Sequence, residues 1–539
     1  MKSLNKSLIF ILALAFLARI VGISYGLPLW LVDDEPPFTL AALKMLQLKT
    51  LIPASQLADF KTVLYYPPYL SYLYLPFFAA LVAIKLLLYD GPSALFASFL
   101  LTDLSWFYII ARTINVVLAT LSVFLVYKIT ENIFRDRRPA LLAAFFVSTS
   151  LIHTALSMVS RHWLSFFLFA AITLFWLSRE HLSEKKRYLC AAISAGIGVG
   201  FAIINILLAA LIVLWHTIYD KKTILGALKE KFFYSLFSVF AALAALPYLL
   251  YPGSLGFRAD TTEETTKTIL GALASPIYFA KTIATSEFIL IAFTILGLVF
   301  TFKNHRRVFW AFAAFIYSYS AIFYLVFRFE PRFFMGLLPF YAILAGYGFY
   351  EIQKKLPSGV PQKIFLLVLL IPLVFVLRFD WLAIKNDSRV LARRWAEENL
   401  PPGTKIIVLA RLTRFSTTEK AISEQEKIDS SSLRKVDRAD AELGKPNFHA
   451  LNLFDAGNQN FYENVESYIQ QNNYEYLVIQ PTYKNSQYFK NVLEKSELMR
   501  TFGSGETAIS LAESQFLKSP LVLFQIKEMG PEIEIYKLK

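Results

Sequence analysis

The stretch from Leu31 to Leu48, LVDDEPPFTLAALKMLQL, follows the first long apolar segment and decides how the rest of the chain is organised. Three consecutive acids, Asp33, Asp34 and Glu35, precede a short amphipathic helix in it. Carboxylates beside a bilayer lose hydration and gain nothing from lipid, so they persist either in a solvated loop or in a functional site. We favour a functional site, with membrane helices arranged around it.

The composition is that of a membrane protein. Of 539 residues, 56% are hydrophobic and 49 are Phe, well above the average for soluble domains. Eleven apolar runs approach or exceed the length that crosses about 30 Å of hydrocarbon. Two of them, 94–127 and 188–219, are about twice that minimum and have polar breaks at Arg112 and Asn205, so each is predicted to be a hairpin of two short helices. The sequence therefore predicts a polytopic α-helical membrane protein with about 11 to 13 transmembrane helices.

The net charge of +14 comes from short Lys and Arg clusters between the apolar runs. Such clusters mark cytoplasmic loops, and with the predicted hairpins all of them fall on one side. The acidic turn and the other chemically capable groups then share the opposite, extracytoplasmic face. This distribution predicts an integral, multi-pass protein of the plasma membrane and no nucleic-acid binding. A single cysteine, Cys190, excludes an intrachain disulfide.

A change in composition predicts two domains, residues 1–385 in the membrane and residues 386–539 in water. The second is expected to be a small extracytoplasmic α/β domain. Its predicted elements are a helix capped by Ser388, strands at 405–410 and 476–480, a helix at 461–471 and a charged surface excursion at 416–445.

Several motifs occur in an order that resembles a known family. The Asp34-Glu35 pair comes first, followed by Tyr66-Pro67-Pro68 and then by Arg112-Thr113-Ile114-Asn115. The remaining two are Ser160-Arg161-His162-Trp163 and the segment from Arg332 to Pro339, RFFMGLLP. In this order the chain resembles the GT-C superfamily of membrane glycosyltransferases, particularly protein O-mannosyltransferases and the lipid A aminoarabinose transferase. Many relatives carry an acid shortly after the Ser-Arg element, and this chain has none there.

The resemblance implies transfer of a sugar from a polyprenyl-phosphate donor to an acceptor hydroxyl, with inversion at the sugar. Such a step needs a base near the hydroxyl and cations near the phosphate. Asp34 is the predicted base, with Glu35 and Asp33 beside it. Arginine suits phosphate because it is planar and always charged. The predicted phosphate ligands are Arg328, Arg332, Arg161 and Arg112, and the predicted substrate contacts are Tyr66, His162 and Trp163.

Other interpretations of these residues stay open at this point. The acids can simply cap the helix begun at Pro36 or Pro37, and single arginines at helix ends can contact lipid headgroups. The three acids can also hold Mg²⁺ or Mn²⁺ through oxygen ligands. At the level of function, the alternatives are a transporter or flippase of lipid-linked sugars, and a non-catalytic member that binds the lipid-linked sugar. The sugar and the acceptor, whether protein, lipid or glycan, do not follow from the sequence.

Overall fold

The computed structural model describes most of the chain. The described residues are 6–32, 35–223, 226, 231–255, 268–326, 330–357, 359–444, 448–453, 459–505, 509, 511, 517 and 519–539. The predicted base Asp34, its neighbour Asp33 and the predicted phosphate ligand Arg328 lie outside them.

The larger part of the protein is helical, as predicted. Its helices are α1 Lys6–Ile20, α2 Pro36–Leu48, α3 Leu57–Phe60, α4 Tyr69–Leu87, α5 Phe96–Thr102, α6 Ser105–Phe134, α7 Arg137–Ser148, α8 Leu151–Ser157, α9 Trp163–Leu177, α10 Glu184–Val199, α11 Leu208–Leu214, α12 Lys231–Leu250, α13 Ile269–Ile283, α14 Phe288–Asn304, α15 Arg306–Val326, α16 Leu338–Lys355, α17 Val360–Leu366 and α18 Leu370–Lys385. Within the described residues, five helices are long and apolar enough to span a membrane, and α7 with α8, bent by 56°, is a sixth candidate. The predicted total of about 11 to 13 also counted shorter apolar helices such as α9 and α14.

The predicted hairpin at 94–127 is wrong. Helix α6 runs for 30 residues without a break at Arg112. Arg112 does not interrupt the helix because its guanidinium is neutralised by a buried carboxylate from another segment. The 188–219 run does contain a break, but it lies at 200–202, between α10 and a 3₁₀ segment, Ile203–Leu207, and not at Asn205. There the Asn205 amide donates to the carbonyl oxygen of Gly198 at 2.9 Å.

Helix α4 does not lead to the side of the basic loops, although the sequence suggested a crossing. Tyr74 of α4 contacts Asn115 of α6, and Phe78 lies 5.1 Å from Phe107 between ring centroids, so α4 runs antiparallel to the first turns of α6. The next helix, α5, contacts the C-terminal region through a hydrogen bond from Ser98 to Glu442 of 2.5 Å.

The C-terminal region contains a small sheet between helices, as predicted for an α/β domain. Its strands are β1 Lys405–Leu409, β2 His449–Asn452, β3 Tyr476–Ile479, β4 Glu497–Phe502 and β5 Ile533–Lys537, in the order β2-β1-β3-β5-β4. β1 is parallel to β2 and β3, whereas β5 is antiparallel to β3 and β4. Its helices are α19 Ser388–Asn399, α20 Glu419–Asp429, α21 Lys435–Glu442, α22 Gln459–Glu463, α23 Val465–Asn472, α24 Pro481–Lys484 and α25 Lys490–Glu494.

Three details of this region differ from the prediction. Asp387, not Ser388, caps α19, because its carboxylate accepts from the Arg389 N–H. The helix predicted at 461–471 is interrupted at Asn464. The predicted surface excursion at 416–445 contains α20 and α21 instead. It is held by the buried side chain of Arg414, which binds Asp437 at 3.3 Å and Asp440 at 3.0 Å.

Candidate active site

Glu35 is the described part of the acidic turn, and it is fully buried. Its two carboxylate oxygens accept from Arg112 of α6, Oε2 from Nη2 at 2.6 Å and Oε1 from Nε at 2.9 Å. Glu35 precedes α2, yet its side chain makes no capping hydrogen bond to that helix. The capping interpretation is therefore wrong for Glu35, whose carboxylate is bound bidentately by α6 instead.

Arg112 is equally enclosed. Its remaining amino group, Nη1, donates to the carbonyl oxygens of Ile23 at 2.7 Å and Tyr25 at 2.8 Å. One guanidinium thus fixes the chain after α1 and the acidic turn to α6. Phosphate binding by Arg112 stays a prediction, and in this structure its donors are directed at protein atoms.

The Ser-Arg segment is fixed to the same face of α6. The backbone N–H of Ser160 donates to Glu35 Oε1 at 2.6 Å. Asn115 lies one turn after Arg112, and its amide donates to the carbonyl oxygen of Val159 at 2.7 Å while accepting from Tyr74 at 3.1 Å. Residues three apart share a helix face, so α6 joins the acidic turn to the Ser-Arg segment.

Two predicted phosphate ligands meet at one indole ring. The guanidinium carbon of Arg161 lies 3.4 Å from the ring centroid of Trp163, and that of Arg332 lies 5.5 Å from it. Arg332 also binds Glu330 at 2.6 Å. A guanidinium that stacks on an aromatic face keeps its N–H edge for in-plane acceptors. The structure therefore brings Arg161, Arg332 and Trp163 together. Arg161 and Trp163 are one and three residues after Ser160, which contacts Glu35.

The predicted substrate contacts Tyr66 and His162 are neighbours as well. Their ring centroids are 4.5 Å apart. Phe38 of α2 completes the group, stacked on Tyr66 at 5.1 Å and tilted against His162 at 5.5 Å. This aromatic group lies between the helix that follows the acidic turn and the Ser-Arg segment.

Several buried polar atoms in and around these segments have no hydrogen-bond partner among the described residues. They include Thr39 Oγ1, Tyr108 Oη, Ser160 Oγ and His162 Nδ1. Buried polar groups are normally satisfied, because leaving one unpaired costs about 1–3 kcal/mol. Each of these atoms can therefore form a hydrogen bond with a polar ligand or a water molecule.

Metal binding gains no support from the described acid. Both Glu35 oxygens already accept from Arg112 and Ser160, so that carboxylate does not fit as a ligand for Mg²⁺ or Mn²⁺. The described part of the chain has no group of three or more His, Cys, Asp or Glu side chains that is suited to a metal ion.

Sequence reasoning missed several residues of this site. Asn115 belongs to the Arg112–Asn115 motif, but no function was predicted for it. No function was predicted for Tyr74, Phe38 or Glu330 either. The spacing of Arg112 and Asn115 was a usable signal, because it places both side chains on one face if α6 is continuous. The incorrect prediction of a hairpin at Arg112 prevented this spacing from being recognised.

Comparison with known families agrees with the motif order. Residues 76–256, about a third of the chain, match the family model described as dolichyl-phosphate-mannose-protein mannosyltransferase. This confirms the predicted resemblance to glycosyltransferases with a lipid-phosphate-sugar donor. Comparison with curated proteins gives no significant match.

Solved structures show partial likeness over most of the chain. An archaeal oligosaccharyltransferase from Archaeoglobus fulgidus, in complex with an inhibitory peptide and a dolichol-phosphate, has 14% identity and a TM-score of 0.46, and the alignment covers 88% of this chain and 69% of that one. ArnT from Cupriavidus metallidurans, bound to undecaprenyl phosphate, has 10% identity and a TM-score of 0.46, with 98% and 97% covered. Another structure of the Archaeoglobus fulgidus enzyme, with Zn and sulfate, has 15% identity and a TM-score of 0.44, with 93% and 72% covered. At these scores the likeness carries no functional argument, which rests on the family match and the site.

Proposed function

We propose that the protein transfers a sugar from a polyprenyl-phosphate donor to an acceptor hydroxyl at the extracytoplasmic face of the plasma membrane. The observation that carries this proposal is the convergence of Arg161 and Arg332 on Trp163, beside the segment that binds Glu35. Two guanidinium groups at one ring attract anions, and the Glu330 carboxylate that binds Arg332 offsets only part of their charge. A lipid phosphate suits this charge, and the family match over residues 76–256 supports the same donor chemistry.

In the proposed step, the acceptor oxygen attacks the sugar C1 from the face opposite the phosphate. The C1–O bond to the phosphate breaks, and its electron pair stays on the phosphate oxygen, which Arg161 and Arg332 stabilise. The acceptor proton passes to the carboxylate of Asp34. The products are the inverted glycoside and the polyprenyl phosphate. No step requires a metal ion bound to Glu35.

Glu35 is assigned a positioning function. Its oxygens are occupied, so it cannot accept the acceptor proton without releasing Arg112 or Ser160. Its contacts instead fix the backbone next to Asp34. The buried atoms Ser160 Oγ and His162 Nδ1, with no partner among the described residues, are the proposed contacts for sugar hydroxyls. The aromatic face of Tyr66 suits stacking against a sugar ring.

The test is sugar transfer by purified protein supplied with labelled polyprenyl-phosphate sugars. Asp34→Asn is expected to lower kcat by about 10²–10⁴-fold. Arg161→Gln and Arg332→Gln are each expected to lower kcat/KM by roughly 10²-fold through lost stabilisation of the leaving phosphate. Arg306→Gln is the matched control, because Arg306 is an exposed arginine at the start of α15, whereas Arg332 follows the end of that helix.

Each outcome has a distinct meaning. Wild-type turnover by Asp34→Asn would remove Asp34 as the base and leave the reaction class intact. Unchanged kinetics in both arginine variants would remove the phosphate assignment. Donor binding without any sugar release by the wild type would favour the non-catalytic alternative, and movement of the intact donor across the bilayer would favour the flippase.

We further propose that residues 386–539 lie on the extracytoplasmic side and orient the acceptor. Two contacts support this proposal. Ser98 of α5 donates a hydrogen bond to Glu442, and Tyr25, in the segment that leads to the acidic turn, donates one to Asp387. Deletion of residues 387–539 that leaves acceptor use intact would contradict the proposal.

A further inference from the structure

A cleft of about 480 Å³ lies where helix α19 of the C-terminal region faces the helical region. Its walls come from the segment after α1, from the turn between α5 and α6, and from α19. The polar groups among them are the hydroxyls of Ser24, Thr102 and Ser105, the carboxylate of Asp103, the amide of Asn386 and the guanidinium groups of Arg393 and Arg394. None of these is used in the proposed sugar transfer.

The walls carry one available cation and one available anion. The neighbouring Arg393 is paired with Glu397 of the same helix at 2.7 Å. Arg394 is exposed and has no ion pair within the described part of the chain. Asp103 uses one oxygen to accept from the Ser105 N–H at 2.9 Å, and no described basic side chain pairs with it. A ligand with a negative and a positive group complements this arrangement.

The length of α6 and an exposed tryptophan favour placing the cleft at the depth of lipid headgroups. A helix of 30 residues is about 45 Å long, so α6 extends well beyond about 30 Å of hydrocarbon. Ser105 is the first residue of α6, and the adjacent Trp106 is 55% exposed. Exposed tryptophan at the end of a spanning helix is typical of the membrane–water interface.

We propose that this cleft binds the zwitterionic phosphodiester headgroup of a membrane lipid, of the phosphoethanolamine type. Arg394 binds the phosphate, for which guanidinium is the best-suited side chain. Asp103 binds the ammonium group. The hydroxyls of Ser24 and Ser105 and the amide of Asn386 supply neutral hydrogen bonds around them. The bound lipid links α19 to the start of α6.

The test measures lipid binding to the full-length protein after detergent exchange, by native mass spectrometry with no sugar donor present. The probes are dioctanoyl phosphatidylethanolamine, dioctanoyl phosphatidylglycerol, dioctanoylglycerol and inorganic phosphate. The wild type is expected to bind one phosphatidylethanolamine more tightly than phosphatidylglycerol, which has no ammonium group. Arg394→Gln should weaken both phospholipids by roughly tenfold, because a hydrogen bond to a charged group is lost.

Asp103→Asn tests the contact with the ammonium group separately from the contact with the phosphate. Asparagine keeps the contact with the Ser105 N–H but not the negative charge, so phosphatidylethanolamine binding should fall to the level of phosphatidylglycerol, whose own binding stays unchanged. Arg394→Lys keeps the positive charge and should retain most of the binding. Arg500→Gln, at an exposed arginine of β4, is the matched control and should behave as the wild type.

Equal phosphatidylethanolamine affinity in the wild type, Arg394→Gln and Asp103→Asn would overturn the proposal. Equally tight binding of dioctanoylglycerol would do so too, since that lipid has no phosphate. Displacement of phosphatidylethanolamine by equimolar inorganic phosphate would identify free phosphate as the ligand and overturn the lipid source. Because no donor is present, none of these results depends on transferase activity.

Discussion

At the scale of single residues, the deciding feature is a buried ion pair rather than an exposed acid. Glu35 and Arg112 are both essentially inaccessible to solvent, and each satisfies the other bidentately. Such a pair contributes little net stability compared with apolar residues, but removing one partner leaves a buried charge uncompensated. The pair acts mainly by positioning, because it holds Glu35 against α6.

Glu35→Gln is therefore expected to destabilise the protein by about 3–5 kcal/mol, since the Arg112 charge loses its partner in a buried site. The measurement is thermal or denaturant unfolding of the purified protein in detergent. Glu180→Gln is the control, because Glu180 pairs with Arg135 where both side chains are well exposed, 45% and 63%. That change should cost less than about 1 kcal/mol. Similar losses in the two variants would show that the Glu35 pair is no more than a surface contact.

The stability of the C-terminal region is expected to depend on pH through Glu424. Burial of Glu424 opposes its ionisation, but hydrogen bonds from His449 and Tyr474 outweigh that effect, so the pKa of Glu424 is lowered from 4.5. A lowered carboxyl pKa gives stability that is complete above the unfolded-state pKa and is lost as the pH falls through the folded-state pKa. Glu424→Gln should therefore be less stable than the wild type at neutral pH and converge with it in acid.

The measurement for Glu424 is hydrogen exchange of the peptide that contains His449, followed from neutral pH to below pH 4.5 after correction for intrinsic rates. Glu494→Gln, at an exposed glutamate of α25, should follow the wild type throughout. A constant difference between Glu424→Gln and the wild type at all pH values would contradict the linkage.

At the scale of elements, helix α6 carries the site because it is continuous. Arg112 and Asn115 bind two different segments from one face, which two short helices joined at Arg112 could not do. From the sequence, both motifs were identified, but α6 was predicted to be two short helices joined at Arg112. An isolated arginine in an apolar run indicates a helix end if it has no partner. The partner of Arg112 is Glu35, which is 77 residues away and could not be recognised from the sequence.

The packing of α14 against α16 depends on glycine. A Cβ at Gly348 would overlap the backbone carbonyl oxygen of Phe293, and one at Gly297 would overlap the backbone of Leu344. Backbone atoms cannot move aside as the end of a side chain can. Small residues at helix crossings are the usual means of close approach within membranes.

Gly348→Ala is therefore expected to destabilise the protein by about 1–3 kcal/mol, because α14 and α16 must separate. Its thermal midpoint should fall measurably in a fluorescence unfolding scan. Val299→Ala provides the comparison, since Val299 lies on α14 but is 46% exposed. This substitution removes contacts without forcing α14 and α16 apart. An unchanged midpoint for Gly348→Ala would mean that the two helices are less closely packed than the structure shows.

At the scale of the whole molecule, the sequence predicts the class of architecture well and the long-range pairing poorly. Apolar runs, basic clusters and the change at Asn386 were enough for a helical membrane region with a small α/β region. The hydrogen bonds of Arg19 were not predictable, since this buried arginine binds His153 and the carbonyl oxygens at the bend between α7 and α8. Strands β2, β4 and β5 were also missed, because short strands depend on partners distant in sequence.

A buried carboxylate, that of Asp387, is one of the links between the two regions of the molecule. Asp387 accepts from the Tyr25 hydroxyl at 2.5 Å and from Arg389 Nε at 2.8 Å. The carbonyl oxygen of Tyr25 in turn accepts from Arg112, which binds Glu35. A continuous set of hydrogen bonds therefore runs from the start of α19 to the acidic turn.

Tyr25→Phe tests whether this connection couples the regions. The variant loses a hydrogen bond to a charged group, about 1.5–3 kcal/mol, while the ring and the carbonyl oxygen of residue 25 are retained. Hydrogen exchange should therefore rise both in the segment 386–399 and in the segment 21–32. Asp387→Asn should give the same pattern, and Tyr234→Phe, at a tyrosine of α12 that is 60% exposed, should give neither change. If exchange rises in 386–399 alone, the acidic turn is held by Arg112 independently of the C-terminal region, and changes in that region cannot reach the site through Tyr25.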